Sequence, residues 1–213
     1  MRQIPTEQNP IKAYGSSNSG NCWKVKQILE LTGRPHEWIE IRPSQGATRT
    51  PEFLALNPLG QVPIAVLAGG EVITESNAIL AHFAEGTRFL PAPRLARTRV
   101  FEWLFFEQYS HEPYVAVARQ WIAFKGLKEK NAALLPEKWE RGHKALGVME
   151  KRLAKHPYLA GDSLSIADIA LYAYTHVAHE GEFDMTLYPG IAAWLTRIAA
   201  EPGVTSMEPA RKA

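Results

Sequence analysis

One cysteine, Cys22, is all the thiol chemistry in a chain of 213 residues. An intramolecular disulfide, a Cys-x-x-Cys redox pair and a thiolate metal cluster are thereby excluded, and a reducing cytoplasm is the expected home. Long apolar runs are missing too. None reaches the roughly 18 residues of a membrane span, and Met1 to Glu7 has no apolar core of signal-peptide length, so a soluble, unexported protein is expected. Charge of one sign is equally scarce: 24 Lys and Arg stand against 22 Asp and Glu, a formal net charge of +2. Acids and bases alternate along the whole chain, which gives no basic stripe for nucleic acid, although the slight basic excess suits a small anionic substrate. The seven histidines (His36, His82, His111, His143, His156, His176 and His179) lack the i, i+4 pairing with a carboxylate that a zinc helix needs, and no metal is expected. There is no repeat, heptad run or low-complexity tract.

What is present fills one large or two modest domains. Residues 1–10 read as a loose arm. Ile11 to Tyr14 reads as a strand, followed by the polar loop Gly15 to Gly20 and a helix with Val25, Ile28, Leu29 and Thr32 at helical spacing. Lys24 and Glu30 are expected to point elsewhere, and Gly33-Arg34-Pro35 ends the element. His36 to Arg42 alternates as a second strand and Pro43 to Arg49 is loop. Thr50-Pro51 is an N-cap with proline at the first helical position, predicting a short helix to Leu56. Val62 to Leu67 and Glu71 to Ile73 read as strands around the hairpin turn Gly69-Gly70, and Ser76 to Glu85 as a helix. The order β-α-β-α-β-β-α describes a small α/β layer domain, parallel in its first half and antiparallel in its second. Gly86 to Pro93 reads as a linker. Beyond it all is helical: Arg94 to Lys125, bent or broken at Pro113; a second helix through Trp139, Leu146, Met149 and Leu153; a third from Ser165; a fourth over about Pro189 to Ala200.

Two stretches carry the chemistry. In Asn57-Pro58-Leu59-Gly60-Gln61-Val62-Pro63 the proline opens a strand without a backbone donor, so the segment ahead of it can offer main-chain groups to a ligand. In Glu75-Ser76-Asn77-Ala78-Ile79-Leu80, Glu75 and Ser76 fall at a helix start, where free amide groups and the helix dipole favour a carboxylate. Edge, hydroxyl and carboxylate together suit a small peptide-like zwitterion. Gly15 to Gly20 has the two-glycine frame of a phosphate loop, but Asn21-Cys22 stands where lysine and a hydroxyl residue are required, so the nucleotide reading fails. No Gly-x-Ser-x-Gly elbow surrounds Ser17 or Ser19. Ser165-Ile166-Ala167-Asp168 has capping-box spacing, with Leu164 and Ile169 placed as its hydrophobic staple, and is structural.

In order and spacing, the Ser-x-x-Cys loop, the Asn-Pro-Leu-Gly-Gln-Val-Pro run, the Glu-Ser-Asn-Ala-Ile-Leu helix start and the helical second half resemble the cytosolic glutathione transferases. The likeness runs from about Ile11 to Val204 and is nearest to bacterial, serine-type members, with Phe105 to Tyr114 like the start of their helical domain. It implies an α/β thioredoxin-like N-terminal domain (residues 1–86) that binds glutathione, followed by an all-α C-terminal domain (residues 94–213) that binds an apolar electrophile, usually in a homodimer. By that resemblance Val62, before a cis-proline at Pro63, pairs its backbone with the cysteinyl part of glutathione. Glu75 faces the γ-glutamyl ammonium, Ser76 holds the γ-glutamyl carboxylate, Gln61 reaches the tripeptide backbone, and Arg49, placed by charge and position, serves the glycyl carboxylate. Ser19 stands where the sulfur is contacted, with Asn21 as a second donor and Ser17 and Tyr14 as alternates. A serine cannot remove the thiol proton at neutral pH; it stabilises the thiolate by hydrogen bonding. Tyr109, Tyr114, Arg119 and Trp121 are the expected electrophile-pocket residues, while Cys22 reads as a buried helix residue rather than a redox thiol. Two rivals remain: reduction of disulfides or peroxides at the same site, and a non-catalytic module that keeps the fold for protein contact.

Overall fold

The computed structural model describes residues 10–123 and 127–208. Residues 1–9 of the expected arm and the end of the helix expected to reach Lys125 lie outside them. The chain divides between Phe83 and Ala84 into two compact units.

In the first unit, strand β1 (Ile11–Gly15) buries alternate residues and leads through the polar loop into helix α1 (Gly20–Leu31). Gly33, at φ 62°, closes α1: its N–H donates to Glu30 O at 3.0 Å and Arg34 N–H to Leu29 O at 2.9 Å. This pair of bonds satisfies the last helical carbonyls, and the left-handed residue between them favours glycine. Strand β2 (His36–Glu40) follows, then two short 3-10 turns where the sequence reading has plain loop. Helix α2 (Pro51–Leu56) starts as expected, with Thr50 Oγ1 accepting Phe53 N–H at 3.2 Å. Strand β3 (Ile64–Val66) is shorter than expected, and β4 (Val72–Thr74) has the expected length one residue further along. Helix α3 (Ser76–Ala84) ends the unit. The sheet order is β2-β1-β3-β4, with β1 and β2 parallel and both other pairs antiparallel. This is the thioredoxin-like arrangement.

The second unit is helical. Helix α4 (Arg94–Phe106) runs through a π turn (Glu107–His111) into α5 (Glu112–Ala123). The expected disturbance at Pro113 therefore appears as a widening ahead of it rather than a break. Proline has no N–H to donate to Tyr109 O, four residues back, and its ring crowds that carbonyl. The turn opens, and Glu112 N–H donates to Glu107 O, five residues back. A four-residue helix α6 (Leu127–Lys130), absent from the sequence reading, precedes α7 (Leu135–Leu153). Helix α8 (Ile166–Thr175) is buried at every residue and forms the centre of this unit. Helix α9 (Pro189–Ala199) has the N–H groups of Gly190 and Ile191 received by the Glu150 carboxylate, each at 2.9 Å.

The Gly86–Pro93 segment is tied into this helical unit: Phe89 and Leu90 are each 3 % exposed, and Phe89 O accepts Ile166 N–H at 3.0 Å. At the head of α8, Asp168 is fully buried and accepts four hydrogen bonds. Leu159 N–H (2.9 Å) and Trp194 Nε1–H (3.0 Å) reach Oδ1, while Ser165 N–H (3.0 Å) and its hydroxyl (2.9 Å) reach Oδ2. Burial pushes the Asp168 carboxyl above its ordinary value even against those bonds. Leu164 and Ile169 are both buried, as a staple requires.

Candidate functional site

The loop between β1 and α1 is braced from within. Gly15 has to be glycine, because a Cβ there would run into the Trp38 ring and come to 3.0 Å from Cys22 Cβ. Ser16 donates its hydroxyl to Asn18 Oδ1 at 3.0 Å. Ser17 is committed to Glu40: its N–H donates to Oε1 at 3.1 Å and its hydroxyl to Oε2 at 2.7 Å, with Trp38 Nε1–H also on Oε2 at 2.9 Å. Burial pushes the Glu40 carboxyl up, but these bonds outweigh it and hold the carboxyl below its ordinary value. Ser19 is the N-cap of α1, its Oγ accepting Cys22 N–H at a long 3.4 Å. A serine held at that spot by one weak bond still has a proton to donate, beside the positive end of a helix. Tyr14 packs edge-on against Phe53, ring centroids 6.5 Å apart.

The sheet registers bring the second stretch to the same place. Tyr14 pairs with Ile64, and Ile64 with Thr74, both antiparallel. The residues after Tyr14, before Ile64 and after Thr74 therefore leave the sheet at one end. Val62 lies beyond both ladders, whose first paired residue on β3 is Ile64, and the Val62–Pro63 peptide is cis. Asn57 stiffens the approach, its Nδ2 donating to Gln61 O at 2.9 Å and its Oδ1 accepting Leu59 N–H at 3.2 Å. Gln61 itself is exposed. Arg49 donates Nη1 to Leu59 O at 3.2 Å, so its exposed guanidinium lies on the outside of this loop. Glu75 is exposed and stands at φ 67°, a left-handed conformation rare for a residue with a Cβ. Ser76 follows at 5 % exposure.

Lys24 joins the two stretches, and the sequence reading missed it. The expectation that it points away from the core is corrected: it is 0 % exposed. Its ammonium donates to Asn21 Oδ1 at 2.9 Å, and to Ser76 Oγ and Asn77 Oδ1 at 3.4 Å each. Ser76 Oγ in turn lies 3.4 Å from Asn21 Oδ1. The available signal was positional, since Lys24 sits four residues before Ile28 inside the apolar stripe of α1. Cys22 is completely buried, and burial pushes its thiol up to about 11 against the hydrogen bonds from Ser19 and Ser16. At neutral pH it is a protonated core thiol.

In the helical unit the four expected pocket residues divide. Tyr114 and Trp121 lie on one face of α5 against α7, with Lys138 Nζ 5.2 Å and 5.6 Å from their ring centroids. Arg141 Nη1 donates to the Tyr114 hydroxyl at 3.1 Å. Tyr109, in the π turn, is 84 % exposed. Arg119 is 3 % exposed and its Nε donates to Glu180 Oε2 at 2.8 Å, which holds its guanidinium inside the unit. No group of three or more His, Cys, Asp or Glu among the described residues is arranged to hold a metal. No helix among them is long and apolar enough to cross a membrane.

Comparison with known proteins follows the same division. The glutathione S-transferase N-terminal domain family model matches residues 18–85, and the C-terminal domain model matches residues 103–202. A crystal structure of a glutathione S-transferase from Xanthobacter autotrophicus Py2 is 52 % identical, with a TM-score of 0.88 over 93 % of this chain and 97 % of that one. Glutathione S-transferase 3 of Zea mays is 34 % identical over 203 residues, covering 91 % of this chain and 90 % of that protein. The disulfide-bond oxidoreductase YfcG of Escherichia coli is 28 % identical over 190 residues, 85 % of this chain and 87 % of that one. With both domain models matched in order and relatives of this identity covering nearly its whole length, the chain belongs to the glutathione S-transferase family.

Proposed function

We propose that this protein is a glutathione transferase that holds glutathione at the end of the sheet where the β1–α1 loop, Val62 and the start of α3 meet. The bound thiol becomes a thiolate and attacks a small apolar electrophile. The observation that carries the reading is the Lys24 cluster, which ties Asn21 beside the Ser19 cap to Ser76, so that the groups assigned to sulfur and to the γ-glutamyl carboxylate are neighbours. Ser19 hydrogen-bonds the thiolate and, with the N-terminus of α1, draws the thiol pKa from about 8.5 toward neutrality. Asn21 is the second donor. With its hydroxyl and N–H committed to Glu40, Ser17 ranks behind Ser19 for the sulfur. Val62 pairs its backbone with the cysteinyl residue, and Gln61 reaches the tripeptide. Glu75 faces the ammonium, its left-handed backbone turning it out ahead of α3. Arg49 serves the glycyl carboxylate. Tyr114 and Trp121 lead the electrophile contacts, ahead of Tyr109 and the ion-paired Arg119. The working form is a cytoplasmic homodimer acting in detoxification, without metal.

A second reading is reduction of small disulfides by bound glutathione, favoured by the likeness to a disulfide-bond oxidoreductase. Cys22, buried and protonated, offers no protein thiol for a relay, so glutathione itself would attack the disulfide sulfur. Calorimetry with glutathione, followed by turnover on an aryl halide and on a small disulfide, separates the possibilities. Conjugation of the halide is the expected result. Turnover of the disulfide alone selects the second reading, and no glutathione binding returns the chain to a non-catalytic module.

A further inference from the structure

We propose that Lys24 is a positioning residue for the glutathione site: one buried ammonium sets both Asn21 and Ser76 as hydrogen-bond donors toward the two anionic ends of the cysteinyl and γ-glutamyl parts. The inference rests on the glutathione reading above. A fully desolvated ammonium is among the most expensive groups to keep in a folded chain, and α1 could fill the same slot with an apolar side chain of equal length. Asn21 Oδ1, Ser76 Oγ and Asn77 Oδ1, three neutral oxygens, are among the groups that receive it.

An ammonium only donates, and that fixes the polarity of everything it touches. Asn21 has to turn its carbonyl oxygen to Lys24, at 2.9 Å, which sends its amide N–H groups to the opposite side of the side chain. Ser76 Oγ accepts from Lys24 at 3.4 Å, so its own proton is left for donation. The internal acceptor for that proton, Asn21 Oδ1, is a long 3.4 Å away, and an incoming carboxylate is a far better one. Lys24 thereby converts two groups of ambiguous polarity into donors and adds a positive field behind both. It touches neither sulfur nor carboxylate itself. Both of its outward partners lie at helix starts, Asn21 in the first turn of α1 and Ser76 at the first residue of α3, where the dipoles act in the same direction. The remaining oxygen, Asn77 Oδ1, anchors the ammonium to the same turn of α3.

The test measures the pKa of the bound glutathione thiol by its thiolate absorbance, and the affinities of glutathione and of S-methylglutathione by calorimetry. Parent, Lys24→Met, Lys24→Gln and Lys24→Arg are compared. Lys24→Met should raise the bound thiol pKa by about one unit and weaken glutathione about tenfold, one unit and one decade being the same free energy. S-methylglutathione, which has no thiol to ionise but keeps the carboxylate, should weaken by a smaller factor, about threefold. Lys24→Arg should recover about half of the pKa shift, since it returns the charge in a larger group. A structural strut would behave differently. Lys24→Met would then melt at another temperature while its bound thiol titrates where the parent's does, and that result overturns the proposal. If Lys24→Met does not fold, Lys24→Gln, which keeps a polar end without the charge, carries the same comparison, and an unshifted thiol in it is equally fatal. The parent is measured first. A parent that binds no glutathione overturns the functional reading itself, whereas a parent with a lowered thiol pKa that Lys24 variants leave untouched overturns the inference alone.

Discussion

Replacing Asp168 by alanine removes the acceptor for four donors at once, and two of these sit deep in the helical unit: Leu159 is 1 % exposed and Trp194 0 %. Each buried donor left without a partner costs about 1–3 kcal/mol. The loss of the Ser165 contacts at the helix start adds about 0.5–2 kcal/mol. Against this, a desolvated carboxyl disappears, and its raised pKa means that its ionised form is costly where it stands. The balance is a destabilisation of about 3–5 kcal/mol, the range for breaking a buried charged network. In a chain of this size each kcal/mol lowers the melting temperature by about 2–4 °C, so a fall of about 10 °C is expected. Circular dichroism melts and urea titrations measure it directly. The pH dependence has a definite sign. Because burial raises the folded-state value, the stabilisation linked to Asp168 protonation is fully present below the unfolded value near 3.8 and is lost as pH rises through the folded one. Asp168→Asn, which does not titrate, should flatten that part of the stability profile. The folded fraction of Asp168→Ala should bind glutathione and turn over normally, since every residue assigned to the tripeptide lies in the first unit. Parental melting behaviour with a specific loss of turnover would falsify this and move Asp168 into the chemistry.

Other expectations are simpler. Ser19→Ala should raise the bound thiol pKa by about one to two units and slow conjugation at neutral pH about tenfold or more; its melting point should fall only slightly, because the cap bond is long, and an unshifted thiol titration would transfer the sulfur contact to Asn21, Ser17 or Tyr14. Glu75→Ala and Ser76→Ala should each weaken glutathione by about 1.5–3 kcal/mol in calorimetry while leaving the fold intact, and parental affinity in both would dismantle the zwitterion clamp. Native Cys22 should react with iodoacetamide at pH 8 about a hundredfold more slowly than a free thiol, because a pKa of about 11 leaves about one thiolate in a thousand. Rapid labelling without unfolding would contradict that burial. With the thiol raised in the folded state, its contribution to stability is present below pH 9.0 and should fade as pH passes through about 11.

Local grammar carried most of the fold. The Thr50-Pro51 helix entry, the Gly33 helix stop and the Ser165 to Asp168 box act within a few residues of themselves, and each formed where the residue types demand. The π turn was legible only as a disturbance at Pro113, because a chain can answer a missing N–H by kinking, stopping or widening, and the surrounding packing chooses. In the candidate site the stretches around Val62 and Glu75 stand out by their order along the chain. Lys24 was not. A lysine defaults to solvent, and two of the oxygens that receive this one inside the unit are 52 and 53 positions away. Arg119 followed the reverse course: charge on a helix expected to line a pocket drew attention to it, whereas its partner Glu180 lies 61 positions downstream. Long-range pairs of this kind have no signature in spacing.

The widened turn at Glu107–His111 also works as a phase shifter. Each residue advances an α-helix by about 100°, so a turn that spends one residue more than usual makes every side chain after it face about 100° away from where the spacing before it would aim. Tyr114, Arg119 and Trp121 all lie downstream of that slip. Deleting one residue inside the turn would let α4 and α5 run as a regular helix and swing these three together, taking Arg119 from Glu180 and the two rings from Lys138. The angular address of this whole helix face is therefore written in five residues that need not touch anything it binds.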